Sequence, residues 1–216
     1  MGMAAESTNR VWIFDLDDTL HNASAHIFPV MNRAMTQYIM DELQIEEHAA
    51  HTLRQHYWHI YGATLKGLVR HHHVDAHHFL KTTHAFTDLT NMVIQVKRLK
   101  FLLKQLKGRK CVFTNAPREY ALRVLEILDI ENYFELVFSV ESTKFHAKPS
   151  TRGFKMLLQT LNVKASDCIM LEDSLSALMT ANRLGMKTIW ISKKLRKPNF
   201  VNYRLSSVLA LTHLKL

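Results

Sequence analysis

The sequence is poor in cysteine, proline and glycine, and it has no long apolar run. Its 216 residues include two cysteines, four prolines and six glycines. So few glycines and prolines give no sign of a flexible linker. Cys111 and Cys168 each lie in an apolar stretch, which indicates reduced thiols in the core of a cytoplasmic protein. No apolar run approaches the ~20 residues that a membrane helix needs, so we expect no membrane partner.

The N-terminal stretch and the charge bear on location and partners. MGMAAESTNR carries a glutamate and lacks the basic-then-apolar order of a signal peptide, so we expect a cytoplasmic protein. The formal net charge is +9, which suits attraction of a small anionic substrate or of nucleic acid. The basic residues are spread along the chain, apart from KKLRK at 193–197, and no nucleic-acid motif is present. We therefore expect a small-molecule partner rather than nucleic acid, and a monomer or homodimer.

Short apolar runs alternate with helical patterns over most of the chain. The runs predict β-strands at 10–14, 109–113, 136–140, 167–171 and 187–191. Helical periodicity separates the later runs, at 117–129, 150–161 and 174–184. Strands that alternate with helices and lack polar alternation are typical of a parallel sheet covered on both faces. The predicted fold class is α/β, a Rossmann-like doubly wound parallel sheet.

The long segment between the first two predicted strands has only helical spacing. A crossover between parallel strands needs about a dozen residues, so the surplus indicates an inserted all-helical domain. We predict a discontinuous α/β core at 9–22 and 98–205, a helical cap at 23–97 and a C-terminal tail at 206–216. The insertion begins where open α/β sheets bind ligands, at the carboxyl ends of the strands.

Charged and polar side chains follow the predicted strands. The first strand ends in three carboxylates, Asp15, Asp17 and Asp18, and the later strand ends and loops supply Thr114, Asn115, Lys148, Glu172 and Asp173. Because parallel strands bring these residues to one edge, the carboxylates would repel one another unless a cation lay among them. Oxygen ligands are those that Mg²⁺ prefers, so the predicted cofactor is Mg²⁺.

This set of side chains suits phosphoryl transfer. Mg²⁺ and Lys148 would screen a phosphate dianion so that Asp15 can attack phosphorus and form an aspartyl-phosphate. Asp17 could protonate the leaving alkoxide and then deprotonate the attacking water. Thr114 and the backbone N–H of Asn115 can donate hydrogen bonds to phosphate oxygens. Asp18 is expected to have a surface or capping role.

The same residues form four ordered motifs that resemble those of the haloacid dehalogenase-like (HAD) phosphohydrolase superfamily. They are FDLDDTL at 14–20, VFTNA at 112–116, KP at 148–149 and LEDS at 171–174. The resemblance implies that Asp15 is the nucleophile, Asp17 the general acid and base, and Thr114 and Lys148 the phosphate ligands. It also implies Mg²⁺ coordination by Asp15, the Asp17 carbonyl and Asp173, with Glu172 acting directly or through water.

The predicted cap suggests a substrate. The stretch YGATLKGLVRHHHVDAHHFLKTTHAF at 61–86, with DLDDTLH and FTNAP, is similar to pyrimidine 5'-nucleotidases of this superfamily. That similarity implies hydrolysis of nucleoside 5'-monophosphates such as UMP or CMP. His21 departs from the bulkier aromatic expected at its position, beside the loop that would move the cap. The candidate substrate contacts of the cap region are His21, Tyr61, Thr64, Lys66, Arg70 and His84.

Several alternatives stay open. A sugar-phosphate phosphatase or a phosphomutase would use the same Asp15 and Asp17, and a basic nucleic-acid-binding protein could use the same scaffold without catalysis. The histidines around 71–84 could hold zinc or lie on helix surfaces. Tyr57 and Trp58 could stack on a base or pack in a core.

Overall fold

Six parallel β-strands form the central sheet of the computed structural model, which describes residues 10–214. The described range excludes the N-terminal stretch 1–9, and with it the first residue of the predicted core. It also excludes residues 215 and 216 of the predicted tail. The sheet order is β3-β2-β1-β4-β5-β6, with every neighbouring pair parallel. The strands are β1 (Val11–Phe14), β2 (Arg109–Phe113), β3 (Leu136–Phe138), β4 (Cys168–Glu172), β5 (Lys187–Ile191) and β6 (Tyr203–Leu205). The predicted fold class is confirmed.

The strand β1 shows why the predicted strands lack polar alternation. Successive side chains of a strand point to opposite faces of the sheet. Trp12 and Phe14 belong to the apolar cluster on one face, and Val11 and Ile13 belong to the cluster on the other. All four residues are buried, so a polar residue at any of these positions would lie in a core. A strand covered on both sides must therefore be apolar throughout.

Helices on both faces of the sheet supply the covering layers. The helix α7 (Arg118–Ile127) packs against the face of Trp12, and α8 (Thr151–Leu161) and α9 (Leu175–Arg183) pack against the face of Ile13. Each has an apolar stripe at helical spacing, as the sequence predicted. The helix α6 (Leu99–Gln105) also lies on the α7 side.

A helical insertion separates β1 from β2. Its helices are α1 (Ile27–Leu43), α2 (Glu47–Tyr61), α3 (Thr64–His72), α4 (Ala76–Thr83) and α5 (Leu89–Met92). Tyr38, Leu68 and Phe79 lie in a third apolar cluster, which the insertion shares with Val140 and Ala147 of the loop after β3. Ile27 at its start and Leu89 near its end instead join the core of the sheet. The limits 23–97 for a cap domain stay a prediction.

Two glycines have different roles in the insertion. Gly62 ends α2 in a left-handed conformation with φ of 75°, as expected of a turn glycine. Gly67 lies inside α3. A Cβ atom on Gly67 would come within 2.1 Å of Cγ of Tyr57, so this glycine lets α2 and α3 pack closely.

The end of the described chain packs on the sheet. The edge strand β6 was not predicted, because its three residues, two of them only partly buried, include an arginine and form no apolar run. After it, Val208 and Leu211 are buried in the main core, within a 3₁₀ segment at Val208–His213. Residues 208–213 of the predicted tail therefore pack against the core. Within residues 10–214, no helix is long and apolar enough to cross a membrane.

Candidate active site

Lys148 joins two carboxylates at the carboxyl ends of β1 and β4. Its Nζ lies 2.6 Å from Oδ1 of Asp15, 2.6 Å from Oε2 of Glu172 and 2.8 Å from the carbonyl oxygen of Phe113. The three contacts use all three ammonium protons. The three side chains are buried, with exposed fractions of 4% for Lys148, 8% for Asp15 and 3% for Glu172. The sequence-predicted residues Asp15, Lys148 and Glu172 thus meet at one point.

Burial and mutual repulsion shape the titration of this group. Burial, followed by the charge of Glu172, raises the pKa of Asp15, and burial likewise raises the pKa of Glu172. Burial opposes the charge of Lys148, but the two carboxylates outweigh it and raise the pKa of the ammonium. Desolvation and the charge of Asp15 raise the pKa of Asp173, whose side chain still reaches solvent, to about 6. One ammonium faces three carboxylates, so the site favours a further cation.

The donor atoms fit Mg²⁺. Oxygen atoms of Asp15, Glu172 and Asp173 lie within 4.8 Å of one another. Oδ2 of Asp15 is buried without a hydrogen-bond partner among the described residues. Both oxygens of Glu172 are already occupied, Oε2 by Lys148 and Oε1 by the backbone N–H of Ser174. A set of carboxylate oxygens with one unpartnered member matches what a hard divalent cation requires.

The carboxylate of Asp17 stands apart from that cluster. Its Oδ1 accepts a hydrogen bond from the hydroxyl of Tyr120 at 2.6 Å and lies 2.9 Å from Nε2 of His21. Tyr120 comes from α7 and is buried, and His21 is buried four residues after Asp17. Two neighbours therefore fix one oxygen of Asp17. The carboxylate of Asp18 instead accepts a hydrogen bond from the backbone N–H of Ser24 at 2.8 Å.

Thr114 and Asn115 follow β2 and lie beside the same group. The hydroxyl of Thr114 accepts a hydrogen bond from the N–H of Ala116 at 3.0 Å, which leaves its own proton available. The side chain of Asn115 is held by the backbone of Lys148, through Oδ1 to its N–H at 2.7 Å and Nδ2 to its carbonyl at 3.0 Å. The amide of Asn115 therefore positions the loop of Lys148, and the backbone N–H of Asn115 has no acceptor among residues 10–214.

A cavity of about 780 Å³ lies between the sheet edge and the helical insertion. Its core side includes Asp15, Asp17, Thr114, Lys148 and Asp173. Three of the predicted cap contacts, Thr64, Lys66 and His84, line the opposite side. The ring of His84 packs against Phe86 and Tyr120, and desolvation lowers its pKa to about 4, so the ring is neutral near pH 7.

The other three predicted cap contacts do not line the cavity. The ring of His21 is buried against Asp17. The hydroxyl of Tyr61 lies 2.7 Å from Nε2 of His71, and the guanidinium of Arg70 lies 6.0 Å from the centre of the Tyr61 ring. Tyr61 and Arg70 belong to α2 and α3, whose packing leaves both side chains outside the cavity lining, whereas His21 precedes the helices and faces Asp17. We do not propose them as substrate contacts.

The two aromatic candidates of α2 differ in the same way. Tyr57 is buried against Gly67, and its hydroxyl lies 2.8 Å from Nε2 of His72. Trp58 lines the cavity and is 63% exposed. The histidines of the insertion form no group of three metal ligands within the part of the chain that the structure describes. That observation gives the zinc alternative no support.

Three residues of the site had no signal in the sequence. Tyr120 occupies the buried stripe of an amphipathic helix, where a tyrosine is ordinarily a core residue. Arg54 and Asn32 lie on α2 and α1 and line the cavity together. Only the packing of these helices shows that the three side chains reach the site.

An α/β sheet with carboxylates and a lysine at its carboxyl edge, and a helical insertion above them, defines a class of hydrolases. The family model for haloacid dehalogenase-like hydrolases matches residues 12–191. The chain belongs to the haloacid dehalogenase-like hydrolase family, as its four motifs predicted.

Curated relatives and solved structures agree with this assignment. Phosphate metabolism protein 8 of Saccharomyces cerevisiae is 24% identical over 84% of this chain and 61% of the relative. Phosphorylated carbohydrates phosphatase of Thermotoga maritima is 27% identical over 49% of this chain and 48% of the relative. The chain thus spans about half to three fifths of these two relatives.

Two solved structures have the same fold. One is an HAD phosphatase of Thermococcus onnurineus, with a TM-score of 0.66 and 18% identity over 94% of this chain and 96% of the other. The other is an HAD-hydrolase of Bacillus subtilis bound to magnesium, with a TM-score of 0.63 and 18% identity over 95% and 97% of the two chains. At this identity the likeness concerns the fold.

Proposed function

We propose that this chain is a Mg²⁺-dependent phosphomonoesterase that hydrolyses nucleoside 5'-monophosphates, with pyrimidine nucleotides such as UMP and CMP preferred. The observation that carries the proposal is the buried group of Asp15, Lys148 and Glu172, in which Oδ2 of Asp15 is left without a partner. The carboxylate of Asp15 has one oxygen bound by Lys148 and the other without a partner, and it lines a cavity, which suits nucleophilic attack on a phosphate ester. The names of relatives that act on phosphorylated compounds support the same reaction class.

The reaction divides into two displacements at phosphorus. A carboxylate oxygen of Asp15 forms a bond to phosphorus, the bond to the leaving alkoxide breaks, and Asp17 gives a proton to that alkoxide. Asp17 then takes a proton from water, whose oxygen attacks phosphorus and releases Asp15 and inorganic phosphate. Tyr120 and His21 hold Oδ1 of Asp17, which leaves its other oxygen for the proton.

The remaining residues stabilise the transferred phosphoryl group. The hydroxyl of Thr114 and the N–H of Asn115 are available donors for its oxygens, and Lys148 supplies a fixed positive charge beside Asp15. Asp15 and Asp173, with Glu172 beside them and the backbone carbonyl of Asp17, would hold Mg²⁺. When bound, Mg²⁺ neutralises charge on the phosphate and so makes attack by an anion possible.

Phosphate release from CMP and UMP in the presence of MgCl₂ tests the proposal. Asp15→Asn should abolish turnover while the thermal transition is retained, because the amide is nearly the same size but cannot attack. Asp129→Asn is the matched control, since Asp129 is an exposed aspartate far from this group that pairs with Lys100. If Asp15→Asn retained wild-type turnover, Asp15 would not be the nucleophile. If the protein hydrolysed sugar phosphates but no nucleotide, the proposed substrate class would be wrong.

A sugar-phosphate phosphatase is the second candidate. The relative from Thermotoga maritima, whose name refers to phosphorylated carbohydrates, favours it. The same assay with ribose 5-phosphate and glucose 6-phosphate distinguishes the two, because both activities require Asp15 and Asp17 but differ in the leaving group.

A further inference from the structure

The two sides of the cavity carry opposite charges. The carboxylates that line it, Asp15, Asp17, Glu172 and Asp173, all belong to the sheet edge. The described lining residues of the insertion include Arg54 and Lys66 and no aspartate or glutamate. The part of a phosphate ester that faces the insertion therefore meets cations and neutral donors.

Arg54 is the better fixed of the two cations. Its Nη1 donates to Oδ1 of Asn32 at 2.7 Å, and its Nε donates to Oγ1 of Thr36 at 3.2 Å. These bonds use two of the five N–H donors of a guanidinium. Arg54 has no carboxylate partner among residues 10–214, and burial lowers its pKa. Lys66 is exposed, with its Nζ 5.6 Å from the centre of the Tyr61 ring. The unsatisfied donors of Arg54 thus form a rigid planar fork in the cavity wall.

Trp58 lies one helical turn after Arg54. Residues four apart lie on the same face of a helix, so both side chains reach the cavity from α2. A tryptophan that is 63% exposed offers an indole surface that nothing in the described chain covers. A fork beside an aromatic face suits a planar ring that carries hydrogen-bond acceptors on its edge.

We propose that Arg54 and Trp58 recognise the base of the nucleotide, Arg54 at its edge and Trp58 at its face. The inference rests on the proposed nucleotidase function and names its specificity residues. Cytosine presents two adjacent acceptors, O2 and N3, which a guanidinium can bind through two parallel hydrogen bonds. Uracil carries a donor N–H at N3, so it offers the fork one acceptor at a time. CMP is therefore the better substrate of the pair.

The experiment compares kcat/KM for CMP, UMP and ribose 5-phosphate, which has no base. Arg54→Met should lower kcat/KM for CMP by about 10- to 100-fold, the worth of a charge-assisted hydrogen bond, and affect UMP less. Turnover of ribose 5-phosphate should be unchanged. Arg54→Lys keeps the charge but not the fork, so it should not restore the preference for CMP. Trp58→Ala should lower kcat/KM for CMP and for UMP by the same factor, about 3- to 10-fold.

The control variant is Arg33→Met, which removes an exposed arginine of α1 that does not line the cavity. Thermal melting of each variant checks the fold. The role of Arg54 is refuted if Arg54→Met lowers kcat/KM for ribose 5-phosphate as much as for CMP. It is also refuted if the ratio of kcat/KM for CMP to that for UMP is unchanged. In both cases the proposed nucleotidase activity stands. If the wild-type protein hydrolyses ribose 5-phosphate and neither nucleotide, the proposed nucleotide substrate is refuted as well.

Discussion

Replacing Lys148 by methionine tests whether the buried ion group determines the stability of the sheet edge. Methionine keeps most of the length of the side chain and removes the charge. Asp15 and Glu172 then lose the ammonium that lies 2.6 Å from each of them. Because both carboxylates are largely buried, water screens them only weakly once that cation is gone. The variant must either bury two unpaired carboxylates or take up protons on folding.

The expected loss of stability is large. Breaking a buried ion pair by removing one partner costs about 3–5 kcal/mol, and the low exposure of all three side chains leaves little screening by solvent. For a chain of this size, ~1 kcal/mol shifts Tm by about 2–4 °C, so Lys148→Met should melt about 6–20 °C below the wild-type protein.

The sign of the pH dependence follows from the carboxylates. Lys148 lowers the pKa of both Asp15 and Glu172, so its removal raises the folded-state pKa of each further above the unfolded-state value. A carboxylate with a raised pKa binds more protons in the folded state, and stability then falls as the pH rises through that pKa. The deficit of Lys148→Met relative to wild type should therefore be small at pH 5 and larger at pH 8.

Thermal melting in EDTA at pH 5 and pH 8 measures both effects. EDTA keeps divalent cations from taking the place of the ammonium, and adding Mg²⁺ should then raise Tm more in the variant than in the wild-type protein. Lys155→Met, at an exposed position of α8, is the control for loss of a lysine. A Lys148→Met protein that melts within about 2 °C of wild type at pH 8 would refute the reasoning, since that corresponds to ~1 kcal/mol or less.

Two further substitutions test single contacts. Tyr120→Phe removes the hydroxyl that donates to Asp17 but keeps the ring contacts with Phe86 and His84. We therefore expect kcat to fall about 10-fold with little change in Tm. The control is Tyr133→Phe, and equal kcat values for the two variants would contradict a role of the Tyr120 hydroxyl. Gly67→Ala should lower stability by about 1–3 kcal/mol, measured by urea unfolding, because the new Cβ would lie 2.1 Å from Cγ of Tyr57. The control is Val69→Ala, at an exposed position of the same helix. A Gly67→Ala protein more stable than wild type would contradict the prediction, since α2 and α3 would then have moved apart without a loss of stability.

The sequence alone specified the sheet and the centre of the site. Strands buried on both faces must be apolar throughout, so the strands β1 to β5 are visible as apolar runs. Parallel strands also bring their carboxyl ends to one edge, and for this reason residues as distant in sequence as Asp15 and Lys148 could be placed together. The edge strand β6 was missed because Tyr203 and Arg204 leave it without an apolar run, and only the fold shows that it pairs with β5.

Only the tertiary structure decided which side chains lie beside Asp17 and which of them line the cavity. Nothing in its own helix marks Tyr120 as a partner of Asp17, since the contact joins residues 103 positions apart. Helical periodicity shows that one face of α2 is buried, but not what the other face meets. The rotation of α2 against α1 and α3 buries Tyr57 and exposes Trp58 and Arg54 to the cavity, and it is set by packing between helices, including the space that Gly67 leaves. The sequence thus determines the chemistry at the sheet edge, and the packing of the helices determines what faces it.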